Sequence, residues 1–354
     1  MKSFVAAVWS ACVLQLFGSV AYAEELVRVA WCARTISSVA APYAVAQKMG
    51  WYAKAGIRLE LVPISGSTDC VKFLATRQVD YAGAGVEPIA LIRAQGVKAR
   101  IFYTYNESSI LAIAVPQDSP IKSFADLKGK SIGVISMGAG GVIYARAVAA
   151  SAGLNPDSDI RIVVVGEGAQ TAALLRKGEV DALSQYDAQY AMIENTGFKL
   201  RLLDNRETEH FPSNALAALD ETLLKNRKQA IALAQGFAKG TLFTIANPEA
   251  AIRILWEVYP YTKPTSKDEA AALRDELNIL LGRIPKWKPE SAGVSRWGEI
   301  SEKNFAAYIA FLEKWGVIKQ RVPVGDLITN DLIAEINDFD AVKIVAEAKA
   351  YKAR

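Results

Sequence analysis

The feature that most constrains this chain is the alternation packed into Leu26 to Gly85. The run L-V-R-V-A-W-C-A (Leu26 to Ala33) holds a buried strand over Arg28 to Trp31, and a helix over Ala41 to Met49, closed by Gly50, opens the stretch P-Y-A-V-A-Q-K-M-G-W-Y-A-K-A-G-I (Pro42 to Ile57). A strand over Ile57 to Pro63 runs into the polar loop of L-E-L-V-P-I-S-G-S-T-D (Leu59 to Asp69), a helix follows over Thr68 to Thr76, and V-D-Y-A-G-A-G (Val79 to Gly85) opens with a short strand over Val79 to Ala82. Each strand ends in small or polar residues. Such loops present backbone N–H groups at the carboxyl edge of a parallel sheet, where open α/β sheets bind small molecules.

A leader precedes this unit. Lys2 provides a positive start, Phe4 to Val20 is apolar apart from small and amide residues, and Ala21-Tyr22-Ala23 fits a small-x-small cleavage site. Residues 1–23 are therefore expected to be an export signal cut after Ala23, with a periplasmic mature chain. Trp9-Ser10-Ala11 before Cys12 is a poor lipid-attachment motif. The remaining length suffices for two lobes.

Net charge is only +4 and no basic block occurs, which argues against nucleic acid as a partner. The mature chain keeps Cys32 and Cys70. In an oxidising compartment an even pair can form one disulfide, and the first strand end lies near the helix that carries Cys70. Two separate buried thiols is the favoured reading, and the disulfide is the alternative. Neither a CxxC pair nor a Cys/His cluster exists, so no metal site is expected. No cofactor is expected either.

After Val115 the pattern restarts. Ser131 to Ile135, Ile160 to Val165, Val180 to Ser184 and Leu200 to Leu203 read as strands, separated by helices over Gly141 to Ala152, Ala169 to Lys177 and Ala188 to Thr196. The halves match in element order, with R-Q-V-D-Y-A in one answering G-E-V-D-A-L in the other. The fold class is α/β, with two lobes that each hold a small, mainly parallel sheet flanked by helices. The last part is helical: Thr222 to Ala246, Glu249 to Tyr259, Lys267 to Leu281 and Lys303 to Trp315.

The segments A-P-Y-A-V-A-Q-K-M-G-W-Y-A-K-A-G-I-R-L-E-L (Ala41 to Leu61), A-T-R-Q-V-D-Y-A-G-A-G (Ala75 to Gly85), V-P-Q-D-S-P-I-K-S-F-A-D-L-K-G-K-S-I-G-V (Val115 to Val134) and L-L-R-K-G-E-V-D-A-L (Leu174 to Leu183) carry a resemblance. The chain resembles periplasmic solute-binding proteins of ABC importers, in the branch of sulfonate, taurine, nitrate and thiamine-pyrimidine-precursor binders. The resemblance implies a two-lobed clamp: 24–112 as the first part of lobe 1, 113–205 as lobe 2, and 206–354 as the return to lobe 1 with a helical extension. Crossings are implied near Ala112 to Val115 and near Leu203 to Ala218, with the tail packed on the first lobe. It also implies a monomer that closes on a small solute and passes it to a membrane permease and its ATPase.

The loops at strand ends supply the site residues. Met137, Gly138 and Ala139 lie in a Ser136 to Gly141 turn opening a helix, and Ser67 and Thr68 form a similar turn in lobe 1. Helix N-termini carry partial positive charge that favours an anion. Gly85, Val86 and Glu87 follow the third strand, and Glu87 either accepts from a ligand or caps its helix. Trp31 either stacks on a planar solute or packs in the core. Thr35 shares its loop with Arg34, which is either a two-pronged anion contact or an exposed loop residue. Tyr186 faces the cleft from lobe 2, and Asp187 faces it too or caps the next helix. His210, the only histidine, reads as a solvated loop residue, and no catalytic arrangement is found.

The leading function is capture and delivery of a small anionic or polar organic solute of sulfonate, nitrate, aromatic carboxylate or pyrimidine type. A ligand sensor for a signalling partner is one alternative. An enzyme similar to thiamine-pyrimidine synthase is the other, and this chain lacks the cysteine-rich motif and histidines of that enzyme.

Overall fold

The computed structural model describes residues 24–265 and 268–352. The expected leader and the start of the expected helix at Lys267 lie outside the described residues.

Ten strands form two five-stranded sheets. Lobe 1 holds β1 (Glu25–Trp31), β2 (Ile57–Pro63), β3 (Tyr81–Ala84), β4 (Ala99–Thr104) and β10 (Ala215–Leu219), in the order β2-β1-β3-β10-β4. Lobe 2 holds β5 (Leu111–Pro116), β6 (Lys130–Val134), β7 (Ile160–Val164), β8 (Ala182–Tyr186) and β9 (Leu200–Leu202), in the order β7-β6-β8-β5-β9. The two orders correspond strand for strand. In each sheet the first three strands pair in parallel, and the fourth is antiparallel to both its neighbours. That reversed strand, β10 or β5, is the one that has just crossed from the other lobe. The remaining strands of each sheet all point the same way.

Sequence chemistry explains these strands. In β2, Ile57, Leu59 and Leu61 are buried while Arg58 and Glu60 are exposed, as expected for a strand with one solvated face. The A-L-A-A-L of β10 is buried throughout, because β10 lies between two strands and is covered on both faces.

The first crossing occupies 105–110, so the boundary expected between residues 112 and 113 falls inside β5. The second occupies 203–214. The crossings are hydrogen-bonded to each other: Asn106 N–H donates to Asn214 O at 3.1 Å, and Ser213 N–H donates to Asn106 O at 3.0 Å.

The tail is divided differently from the sequence expectation. The long helix expected from Thr222 breaks at Asn226 into Asp220–Lys225 and Arg227–Ala246. The helix expected to stop at Leu281 runs from Glu269 to Trp287, through Pro285. This Glu269–Trp287 helix does more than pack on lobe 1. It touches the Ser38–Ala40 turn of lobe 1 and the Asp187–Glu194 helix of lobe 2. Ser38 N–H donates to Glu276 Oε2 at 3.0 Å, and Asn195 Nδ2 donates to Asp275 O at 3.1 Å. An apolar cluster holds it there, in which Ile279, Leu280 and Trp287 meet Val39 from lobe 1 and Ala188 from lobe 2. Among the described residues no helix is long and apolar enough to cross a membrane.

Candidate functional site

The carboxyl ends of β1, β3, β6 and β8 and both crossings converge on a cavity between the lobes. Its volume is about 80 Å³. Four helices begin beside it: Ser67–Ala75 after β2, Val86–Ala94 after β3, Gly140–Ser151 after β6 and Asp187–Glu194 after β8. Two of these starts depend on glycine. A Cβ on Gly141 would collide with Ser184 O, so only glycine lets the Gly140–Ser151 helix sit against the end of β8. Gly66 has φ +124°, a region that L-residues rarely adopt.

The lobes touch at the cleft mouth. Thr68 N–H donates to Gly138 O at 3.1 Å, the Ser136 hydroxyl donates to Ser65 O, and Thr35 Oγ1 donates to Glu167 Oε2 at 2.6 Å.

Of the residues expected from the sequence, Trp31, Ser67, Gly85, Glu87, Ala139 and Tyr186 line the cavity. Val86 is buried beside it. Thr35, Thr68 and Gly138 form the mouth contacts instead, and Met137 is 58% exposed. Arg34 is exposed, is absent from the wall, and donates to Ser65 Oγ at 2.9 Å. Trp31 Nε1 donates to Thr35 O at 2.9 Å, so its ring contributes mainly apolar surface.

Cys32 and Cys70 form a disulfide with Cα atoms 5.8 Å apart, which corrects the reading of two separate thiols. The register of β1 brings the strand end over the first turns of the Ser67–Ala75 helix, and Cys32 itself lines the cavity.

Asp187 neither opens to the cavity nor merely caps its helix. Arg283 Nε donates to its Oδ1 at 3.0 Å and its Oδ2 at 2.9 Å, Nη2 donates to Oδ1 as well, and Lys286 Nζ lies 3.3 Å from Oδ2. Burial acts to raise the Asp187 pKa, yet Arg283 and Lys286 outweigh it and hold the carboxyl below its ordinary value. Glu87 behaves oppositely. Burial pushes its carboxyl up despite the hydrogen bond from the Tyr308 hydroxyl.

Several wall residues were missed by sequence reasoning. Asn106, Ser213 and Asn214 come from the crossings, and Arg283 comes from the tail. No local pattern marks them, since their position depends on how the lobes are joined. Asn214 Nδ2 donates to Gly83 O at 3.0 Å, as does Tyr105 Oη at 2.9 Å. Asn106 is different. It is 0% exposed, and neither Oδ1 nor Nδ2 has a partner. Gln185, beside Tyr186 at the end of β8, is 1% exposed with Oε1 unpaired. Buried polar atoms are normally satisfied, so unpaired ones in a cavity wall point to a missing partner. Among the described residues no group of three or more His, Cys, Asp or Glu side chains is placed to hold a metal ion.

The riboflavin-binding protein RibY of Chloroflexus aurantiacus is 22% identical over 296 residues, covering 83% of this chain and 82% of the relative. Among solved structures, the periplasmic aliphatic sulphonate binding protein SsuA from Escherichia coli aligns with a TM-score of 0.60 at 18% identity, covering 86% of this chain and 92% of that one. The periplasmic nitrate-binding protein NrtA from Synechocystis PCC 6803 aligns with a TM-score of 0.61 at 16% identity, covering 93% and 91%. At these identities the structures establish the fold, the two-lobed clamp of periplasmic binding proteins. A family model described as NMT1/THI5 like matches residues 37–251, well over half of the chain. The protein is therefore a member of the NMT1/THI5-like family.

Proposed function

We propose that this protein is a non-enzymatic, periplasmic receptor that encloses one small, uncharged, polar aromatic solute between its lobes and delivers it to the permease and ATPase of an ABC importer. The observation that carries this reading is the Asn106 carboxamide, buried in the cavity wall with donor and acceptor both unpaired. A carboxamide pairs best with a group that offers an acceptor beside a donor, such as the edge of a pyrimidine or a lactam. Gln185 Oε1 adds a second unpaired acceptor. Trp31, Tyr186 and Phe237 supply aromatic wall for the ring.

The anion contact expected at Arg34 has less support: Arg34 is outside the wall, and Arg283, the cation that the wall does hold, is engaged by Asp187. Size also helps to rank solutes. A cavity of about 150 Å³ takes benzene, and this one measures about 80 Å³. A single ring is nearer to fitting than the three fused rings of riboflavin, the solute in the name of the Chloroflexus relative. Entry of either requires the lobes to part, and the paired crossings are the natural hinge.

The test is a thermal-shift screen of the mature protein against aminopyrimidines, riboflavin, nitrate, taurine and alkanesulfonates. A solute at 100 times its dissociation constant adds about 2.7 kcal/mol. A shift with a neutral heterocycle supports the proposal. A shift with the anions alone sinks it.

A further inference from the structure

Arg283 is the only cationic side chain among the described residues lining the cavity, and Glu87 is the only acid. Arg283 is 4% exposed and presents the Nε–Nη2 edge of its guanidinium to Asp187, which does not itself line the cavity and stands at the start of the Asp187–Glu194 helix. A guanidinium fork matches one carboxylate face to face, and here that face is taken. Lys286 reaches the same carboxylate, but its Nζ also donates to Ser109 O at 2.8 Å and it is not part of the wall.

We infer that Asp187 determines the charge of the solute this cleft accepts: by occupying Arg283 it makes the site refuse small anions and admit neutral ones. The inference rests on the neutral-solute reading above and assigns its selectivity to one residue. An anion entering the cavity finds the Nε–Nη2 edge of the guanidinium taken by Asp187, so the two-pronged contact along that edge is closed to it. Asp187 also offsets the positive charge of Arg283 and Lys286 that would otherwise draw an anion into the low-dielectric interior. A neutral heterocycle meets neither obstacle. Asp187 is then a specificity determinant that works through Arg283, and removing its charge converts the cleft into an anion site.

The experiment compares wild type, Asp187→Asn and the double variant Asp187→Asn/Arg283→Gln. Sodium nitrate and sodium ethanesulfonate are titrated against sodium gluconate at matched ionic strength and read by calorimetry. The neutral heterocycle panel is run on wild type in parallel. Asp187→Asn is expected to bind nitrate or ethanesulfonate at least tenfold more tightly than wild type, and the double variant is expected to lose that gain. A folded Asp187→Asn protein with no gain overturns the inference; if wild type still binds a neutral heterocycle, the solute reading stands. Wild type that binds the anions as tightly as Asp187→Asn overturns both. If Asp187→Asn is insoluble, its refolding yield is compared in nitrate and in gluconate. A nitrate-dependent yield that the double variant lacks supports the inference, and equal yields overturn it.

Discussion

Gly66 in lobe 1 and Gly138 in lobe 2 meet backbone to backbone across the cleft mouth: a Cβ built on Gly66 would lie 2.6 Å from Gly138 O. The hydrogen bond from Thr68 N–H to Gly138 O depends on that approach. Gly66→Ala should therefore hold the lobes apart, and the positive φ adds strain of about 1–3 kcal/mol. Small-angle scattering should give a larger radius of gyration for the variant than for wild type, with unchanged circular dichroism. Identical radii would show that the mouth contact does not govern closure.

Asn106 supports a prediction that separates binding from stability. A buried, unpaired amide costs about 1–3 kcal/mol. Asn106→Leu, of similar size, should raise the urea midpoint of the solute-free protein and abolish the thermal shift produced by the best heterocycle. A structural role for Asn106 would instead appear as a lowered midpoint.

The Cys32–Cys70 bridge closes a loop with a sequence separation of 38. Loop-closure entropy for that length corresponds to about 4 kcal/mol. Cys32→Ser/Cys70→Ser is expected to lower unfolding stability by up to that amount, and dithiothreitol should then have no further effect on the double variant. A variant as stable as oxidised wild type would contradict this.

Glu107, in the first crossing, is buried with Oε1 unpaired. Burial, with Glu299 adding like charge, holds its carboxyl well above the usual range. The unfolded chain releases that proton near pH ~4.3. Stability linked to this group is thus complete below that pH and is lost as pH rises through the raised folded value. Glu107→Gln should stabilise the protein, and by more at pH 8 than at pH 5. Urea melts giving the same difference at both pH values would rule this out.

Local chemistry made much of the architecture legible. Ile57, Leu59 and Leu61 alternate with charged residues in β2, and the small residues after β2, β3 and β6 mark turns into helices. Side chains at strand ends and in the loops after them, such as Trp31, Ser67 and Tyr186, consequently reach the cavity wall. Arg34 did not follow, because Ser65 holds it outside the wall.

The sequence by itself determined the two α/β lobes, their repeated element order and the strand ends that face the cleft, because period-two and helical patterning act over neighbouring residues. Only the tertiary structure decided which distant groups complete the site. Asn106 and Asn214 meet because two crossings separated by a whole lobe pair with each other. Arg283 meets Asp187 across a sequence separation of 96 because an apolar cluster lays the tail helix over both lobes. Cys32 and Cys70 join because the register of β1 brings its end over a neighbouring helix. These contacts depend on chain topology and long-range packing, which no local pattern encodes.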